Sequence, residues 1–231
     1  QLAANERKYT TGDIRIRNTR FNEFESLMPM QFFIEDYSSL KAELMRIPKI
    51  KDVESVFSLA ASVYSDGKLE STAIYASDPG SVFIGDETIL YEGRFAENGA
   101  KEVMATPLFL KHHGLSLGDS VTCVFKTAAG GTHAATFRIV GVVGYLNSEM
   151  NGNLIITTAD ALAPLVRMKD GALELHVWLN EGADETAETD ILNSLLSDRG
   201  LVAQSWSEIS WIAPVMPLYD LMIIIIDALF F

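Results

Sequence analysis

Apolar and polar residues alternate one by one in "DIRIRN" (residues 13–18), the period of a strand buried on one face. After a polar and aromatic connection (residues 19–35) the period changes. Tyr37, Leu40, Leu44 and Ile47 recur every three or four positions, predicting a helix that Asp36 caps and Pro48 stops. "VESVFSLAASVYS" (53–65) and "KLESTAIYAS" (68–77) return to strand, joined by Asp66-Gly67, a dipeptide suited to a tight hairpin. The same order closes the chain. "LELHVWL" (173–179) sets Leu173, Leu175, Val177 and Leu179 on one face and Glu174, His176 and Trp178 on the other. "ADETAETDILNSLLSDRG" (183–200) predicts a helix with acids in its first turns, Ala187, Ile191 and Leu195 as its apolar stripe, and Gly200 as its stop. "LVAQSWSEI" (201–209) reads as a last strand. Two strand–helix–strand units thus bracket the chain. They can pair into one open sheet with both helices on one face, each crossover being right-handed.

The middle is patterned differently. "SVFIG" (81–85), "EVMA" (102–105), "SVTCVFK" (120–126), "TFRIVGVVGY" (136–145) and "NLIITT" (153–158) are short strand patterns. One helix interrupts them: Thr106 is its N-cap, Pro107 its first residue, Leu108, Phe109 and Leu110 its apolar surface, and Gly114 its left-handed end. The predicted class is α+β in two lobes. Residues 1–78 and 167–210 make a discontinuous α+β lobe, and residues 79–166 an inserted β-rich lobe. Residues 211–231 are a link, with Pro214 and Pro217, into the start of a truncated transmembrane helix.

That last expectation comes from "LMIIIIDALFF" (221–231). A spanning helix needs about 20 mainly apolar residues, and Asp227 near a helix centre costs about 2.5–3.5 kcal/mol. A membrane helix cut short, a buried core helix and an interfacial helix all fit. The opening "QLAANERKYTTG" has neither an initiator methionine nor a signal-peptide pattern, which favours the first and a chain excised from something longer. The formal net charge of −13 argues against nucleic acid and against an anionic membrane surface as partners of the globular part. The single cysteine, Cys123, excludes an internal disulfide and a multi-cysteine metal site, and leaves open a reducing compartment or a periplasm.

Candidate chemistry is sparse. His112 and His113 are adjacent, so on a helix their side chains point about 100° apart, and no cysteine or acid stands near them in the sequence; an exposed helix end is the expected reading. His133 lies in a turn and His176 on the polar face of a strand. Gly118, Asp119 and Ser120 read as a glycine turn with Asp119 bonding the backbone. Cys123 alternates with Val121 and Phe125 on a buried face. No G-x-S-x-G, H-E-x-x-H or P-loop pattern is present. No catalytic, cofactor-binding or metal-binding residue is therefore assigned, and the chain is expected to bind neither metal nor nucleotide.

One stretch is recognisable. Gly93-Arg94, the short strand at Val103-Met104, Gly114-Leu115, Gly118-Asp119 and the strand from Phe137 to Gly141 resemble the periplasmic domain of MacB/LolCDE/FtsX-type ABC transporter permeases, in order and in spacing. "TGDIRIRN" (11–18) is similar to the first periplasmic strand of that family, and "IPKIKDVESVFSLAASVYSDGKL" (47–69) to its first helix–strand junction. The resemblance implies an inner-membrane permease with this domain outside the membrane, between its first two membrane helices. It further implies a separate cytoplasmic ATPase subunit, a second permease copy, a periplasmic carrier or adaptor, and a non-catalytic domain that handles lipoprotein, drug or peptide cargo. Lipoprotein-releasing members can carry a long proline-bearing hairpin that engages a carrier; here "TAAGGTHAA" (127–135) is short and lacks proline, which keeps export in the macrolide-exporter style open. A ligand-binding or adhesion module of a membrane receptor is the alternative, and a hydrolase lacks its nucleophile and base.

Overall fold

The alternating strands and the two periodic helices form as the pattern predicts, and they interleave. A computed structural model of the chain describes residues 7–65, 68–81, 83–144, 152–210 and 213. The path is β1 (Ile14–Asn18), α1 (Tyr37–Leu44), β2 (Ile50–Ser65), β3 (Lys68–Ser77), β4 (Leu90–Gly93), β5 (Glu102–Ala105), α2 (Pro107–His113), β6 (Ser120–Lys126), β7 (Thr132–Val143), β8 (Leu154–Thr158), β9 (Glu174–Leu179), α3 (Glu185–Leu196) and β10 (Leu201–Ser205), with shorter helical turns between. The fold is mixed α+β, with the strands in one connected sheet.

Four strands lie in the order β10-β1-β9-β2, each neighbour antiparallel. β1 and β2 therefore run parallel with β9 between them, and β9 and β10 parallel with β1 between them, a split β-α-β arrangement. Leu40 and Leu44 of α1, and Leu192 and Leu196 of α3, share one core with Ile14, Ile16, Leu175, Val177 and Ala203. Full burial of each such side chain is worth about 1.5–3 kcal/mol.

Beyond this layer the sheet closes. β2 is 16 residues long; its first part pairs with β9, and Ala61 to Val63 pair with β6. β3 pairs β8 in parallel, β8 pairs β5, β5 pairs β7 in parallel, and β7 returns to β6. These six strands make a ring, which leaves its members no unpaired edge. β2 and β3 thus belong to the ring, and β2 to the layer as well. Asp78, at the end of β3, accepts hydrogen bonds from Ser55 (2.5 Å), Lys41 (2.8 Å) and the Tyr37 hydroxyl, tying α1 to the strands.

Four local expectations are corrected. Asp36 has a left-handed backbone (φ 51°) and its side chain caps nothing; Asp170 caps α1 from a distant loop, its Oδ1 accepting from Ser38 N (3.0 Å) and Oγ (2.6 Å). In α3 the buried face is Glu188, Thr189, Leu192 and Leu196, while Ile191 and Leu195 are exposed. The helix is rotated because Asn193 bonds both the N–H (2.8 Å) and the carbonyl (2.9 Å) of Ala203 on β10. Residue 81 and residues 83–85 are turns and bends: Gly80 N donates to Ile84 O (2.7 Å), and Phe83 and Ile84 enter a second core with Tyr9, Val56 and Ile89. The strand in this region is β4, which the pattern missed. Finally, β10 stops at Ser205, where Ser205 and Glu208 form a capping box that starts a helical turn, Trp206–Ile209.

Candidate functional site

The two ends of the described chain meet. Asp13, entering β1, hydrogen-bonds Val177 O through its N–H (3.0 Å), and its carbonyl accepts from Trp206 N (2.9 Å), just past β10. Its carboxylate accepts from Leu179 N (2.8 Å) and from Arg7 Nη1 (3.0 Å). Arg7 Nη2 donates to Glu185 Oε2 (3.0 Å), in the first turn of α3, and the guanidinium sits 4.7 Å from the centre of the Trp206 ring. Glu185 Oε1 accepts in turn from Ser207 N (3.0 Å) and Oγ (3.1 Å). Gly12 makes the approach possible: at φ +68° its missing Cβ would sit 3.1 Å from Val177 O. The incoming segment, the outgoing segment and the start of α3 are thus clamped into one bracket. Arg7 is its centre, and no sequence pattern singled Arg7 out.

Neither a protein-family model nor a curated protein matches the sequence. Among solved structures, the chain is similar to the periplasmic region of MacB from Actinobacillus actinomycetemcomitans, with a TM-score of 0.61 at 15% identity over 90% of this chain and 96% of that one. It is also similar to the extracellular domain of the noncanonic ABC-type transporter YknZ from Gram-positive bacteria, with a TM-score of 0.53 at 13% identity over 83% of this chain and 99% of that one. The chain has the fold of these extracytoplasmic transporter domains. At these identities the likeness is one of fold.

The resembling residues between Gly93 and Gly141 lie near one another in this MacB-like fold, and they make local backbone and side-chain contacts there. Gly93 ends β4 at φ +78°, where a Cβ would meet Val140 O at 2.3 Å, and a Cβ on Gly141 would meet Arg94 O at 2.3 Å. The two glycines, paired across the antiparallel β4–β7 ladder, let the strands approach closely there. Arg94 then grips Glu102 of β5 with both terminal nitrogens (2.8 and 2.6 Å). α2 is capped by Thr106 Oγ1, which accepts from Phe109 N (3.2 Å), and ends at left-handed Gly114. Gly118 N donates to Ile139 O (2.9 Å), and Asp119 Oδ2 accepts from Ser116 N (2.9 Å). Ser120 opens β6 on an exposed position, and Cys123 faces the core with Val121 and Phe125. Burial pushes the Cys123 thiol up to about 12.

The histidines go to three places. His133 is exposed on β7, its ring 5.9 Å from that of Phe125. His112 and His113 meet Glu70 of β3, whose Oε2 lies 3.4 Å from His112 Nε2 and 3.2 Å from His113 Nδ1. The expected exposed helix end is corrected for His113, whose side chain is buried, and an acid does stand beside the pair. Glu70 is remote in sequence, and it arrives because β3 and α2 both pack against β8. His176 is buried, on a face of the layer expected to be polar and open, since Phe83 packs over it with ring centres 6.3 Å apart.

On that covered face a charged network is buried. Arg17 bonds Glu174 through Nε (2.6 Å) and Nη2 (2.5 Å) and pairs with Glu25 (2.6 Å), while His176 Nε2 stands 3.2 Å from Glu174 Oε1. Burial opposes charge on Glu174, but the Arg17 guanidinium and the His176 bond outweigh it and hold the carboxyl at about 2. Glu54, across from His176, is the opposite case: burial raises its pKa, and its Oε2 has no hydrogen-bond partner. A raised folded-state pKa contributes stability at low pH that is lost as pH rises through it. Glu54→Gln is therefore expected to raise the thermal midpoint of the domain at pH 7. The gain should vanish below about pH 4, where Glu54 is protonated in both states. Thermal melts at the two pH values check this.

Proposed function

We propose that this chain is the extracytoplasmic domain of an ABC-transporter permease of the MacB/LolCDE/FtsX type. It converts movement of membrane helices, driven by ATP hydrolysed in a separate cytoplasmic subunit, into export or release of cargo outside the inner membrane. The supporting observation is the bracket of Arg7, Asp13, Glu185 and Trp206. A domain held at two neighbouring points moves as one lever when the segments entering and leaving it move. The work assigned to it is this transmitted shift, and no residue is assigned to chemistry.

In this reading residues 1–78 and 167–210 are the tethered body and residues 79–166 the part carried outward. Residues 211–231, which lie almost wholly outside the described residues, continue into a membrane helix. No helix of the described residues is long and apolar enough to cross a membrane. The partners are the cytoplasmic ATPase, a second permease copy that closes a space for cargo, and a periplasmic carrier or adaptor protein. The cargo class is lipoprotein, drug or peptide.

Cysteines introduced on the tethered bodies of two permease copies and cross-linked in the assembled transporter should stop transport while ATPase activity persists, and reduction should restore transport. Cys123 is fully buried and does not compete for the cross-linker. Transport at a normal rate in the fully cross-linked complex would falsify the lever.

A further inference from the structure

We propose that Glu70, His112 and His113 form a binding site for a divalent transition metal of the zinc class, joining β3 to the end of α2. Imidazole and carboxylate together suit such ions. Zinc is held tetrahedrally with ligand atoms about 2.0–2.2 Å away, which places neighbouring ligand atoms roughly 3.3–3.6 Å apart. The carboxylate oxygen of Glu70 stands 3.4 Å from His112 Nε2 and 3.2 Å from His113 Nδ1, and all three ligand atoms lie within 4.8 Å of one another. The adjacent histidines converge even though they are neighbours on a helix, because their rings stand edge to face at 88° with centres 4.9 Å apart.

A second observation concerns the burial of one member. The His113 side chain is 0% exposed, and neither ring nitrogen makes a hydrogen bond of good geometry, although Nδ1 stands 3.2 Å from Glu70 Oε2. A buried imidazole so poorly satisfied is costly, and a metal on Nδ1, shared with Glu70, would satisfy it. Asn153, anchored by Nδ2 donating to Ser71 O (2.8 Å), lies beside the same ring with a buried Oδ1 that makes no hydrogen bond of good geometry. That is the kind of outer partner that orients metal-bound histidines. Three protein ligands leave a fourth position for water or for a side chain of a partner.

The test uses the untagged chain after chelation and dialysis. Zinc titrated by calorimetry should bind one to one, and cobalt should give the visible bands of a tetrahedral site. Glu70→Gln and His112→Ala change exposed or half-exposed side chains, so both variants should fold, and each should weaken zinc binding at least about 100-fold; His133→Ala should leave it unchanged. Saturating zinc should raise the thermal midpoint of the parent chain and not of the two ligand variants. Absence of saturable binding in the parent chain, or equal binding in both ligand variants, overturns the proposal and leaves a carboxylate paired with two histidines.

Discussion

Arg17→Ala is expected to destabilise the domain by about 3–5 kcal/mol, because it removes one partner of a buried ion pair and leaves the other charge uncompensated. Glu174 is 6% exposed and Arg17 8%, and three of the guanidinium's contacts go to Glu174 and Glu25. For a chain of this size the thermal midpoint should fall by roughly 6–20 °C. The pH dependence identifies the cause. With its carboxyl held at about 2, Glu174 contributes stability above its unfolded value that is lost as pH falls toward 2. Without Arg17 the carboxyl is no longer held down, so the penalty should be largest at neutral pH and shrink as acid neutralises Glu174. The double variant Arg17→Met/Glu174→Leu should recover most of the loss, since well-packed apolar residues often replace a buried pair at little cost. Urea unfolding of the parent, single and double variants at pH 7 and pH 4 measures all of this. A single variant as stable as the parent, or a loss independent of pH, would remove the network from the stability of the fold.

Gly93→Ala should cost about 2–4 kcal/mol, from a left-handed backbone that alanine disfavours together with overpacking. The atom in the way is the carbonyl oxygen of Val140, 2.3 Å from the added Cβ. No side-chain rotation relieves that clash, so β4 must part from β7 and take Arg94 away from Glu102. Gly114→Ala is the control. Its φ is +62°, almost as unfavourable, but nothing lies within 4 Å of the added methyl, and about 1 kcal/mol is expected. The comparison separates backbone strain from close approach. Equal losses in the two variants would show that the close approach of β4 to β7 is not what requires Gly93.

Much of this was legible beforehand, for a local reason. Strand alternation in residues 13–18, the Thr106 cap, the Gly114 stop and the buried Val121, Cys123 and Phe125 rest on contacts within a few residues, and these formed as the pattern predicts. So did the pairing of both strand–helix–strand units in one sheet, since their apolar faces have to cover one another. The rotation of α3 was hidden because two stripes of similar hydrophobicity compete on that helix, and the tie from Asn193 to Ala203 chooses between them. The segment 81–85 has a strand's composition, but Phe83 and Ile84 take a plug's position, which only the covered face around His176 explains. Glu70 beside His112 and His113, Asp170 capping α1, and Arg7 clamping both chain ends are pairings across long sequence distances. Composition and period by themselves determined an acidic α+β chain and the order of its elements apart from the region of residues 81–93. Closure of the six-stranded ring and the meeting of Arg7 and Asp13 with Glu185 and Trp206 were decided by the tertiary structure, because they depend on which distant segments pair, and the repeating pattern of side chains does not encode that choice.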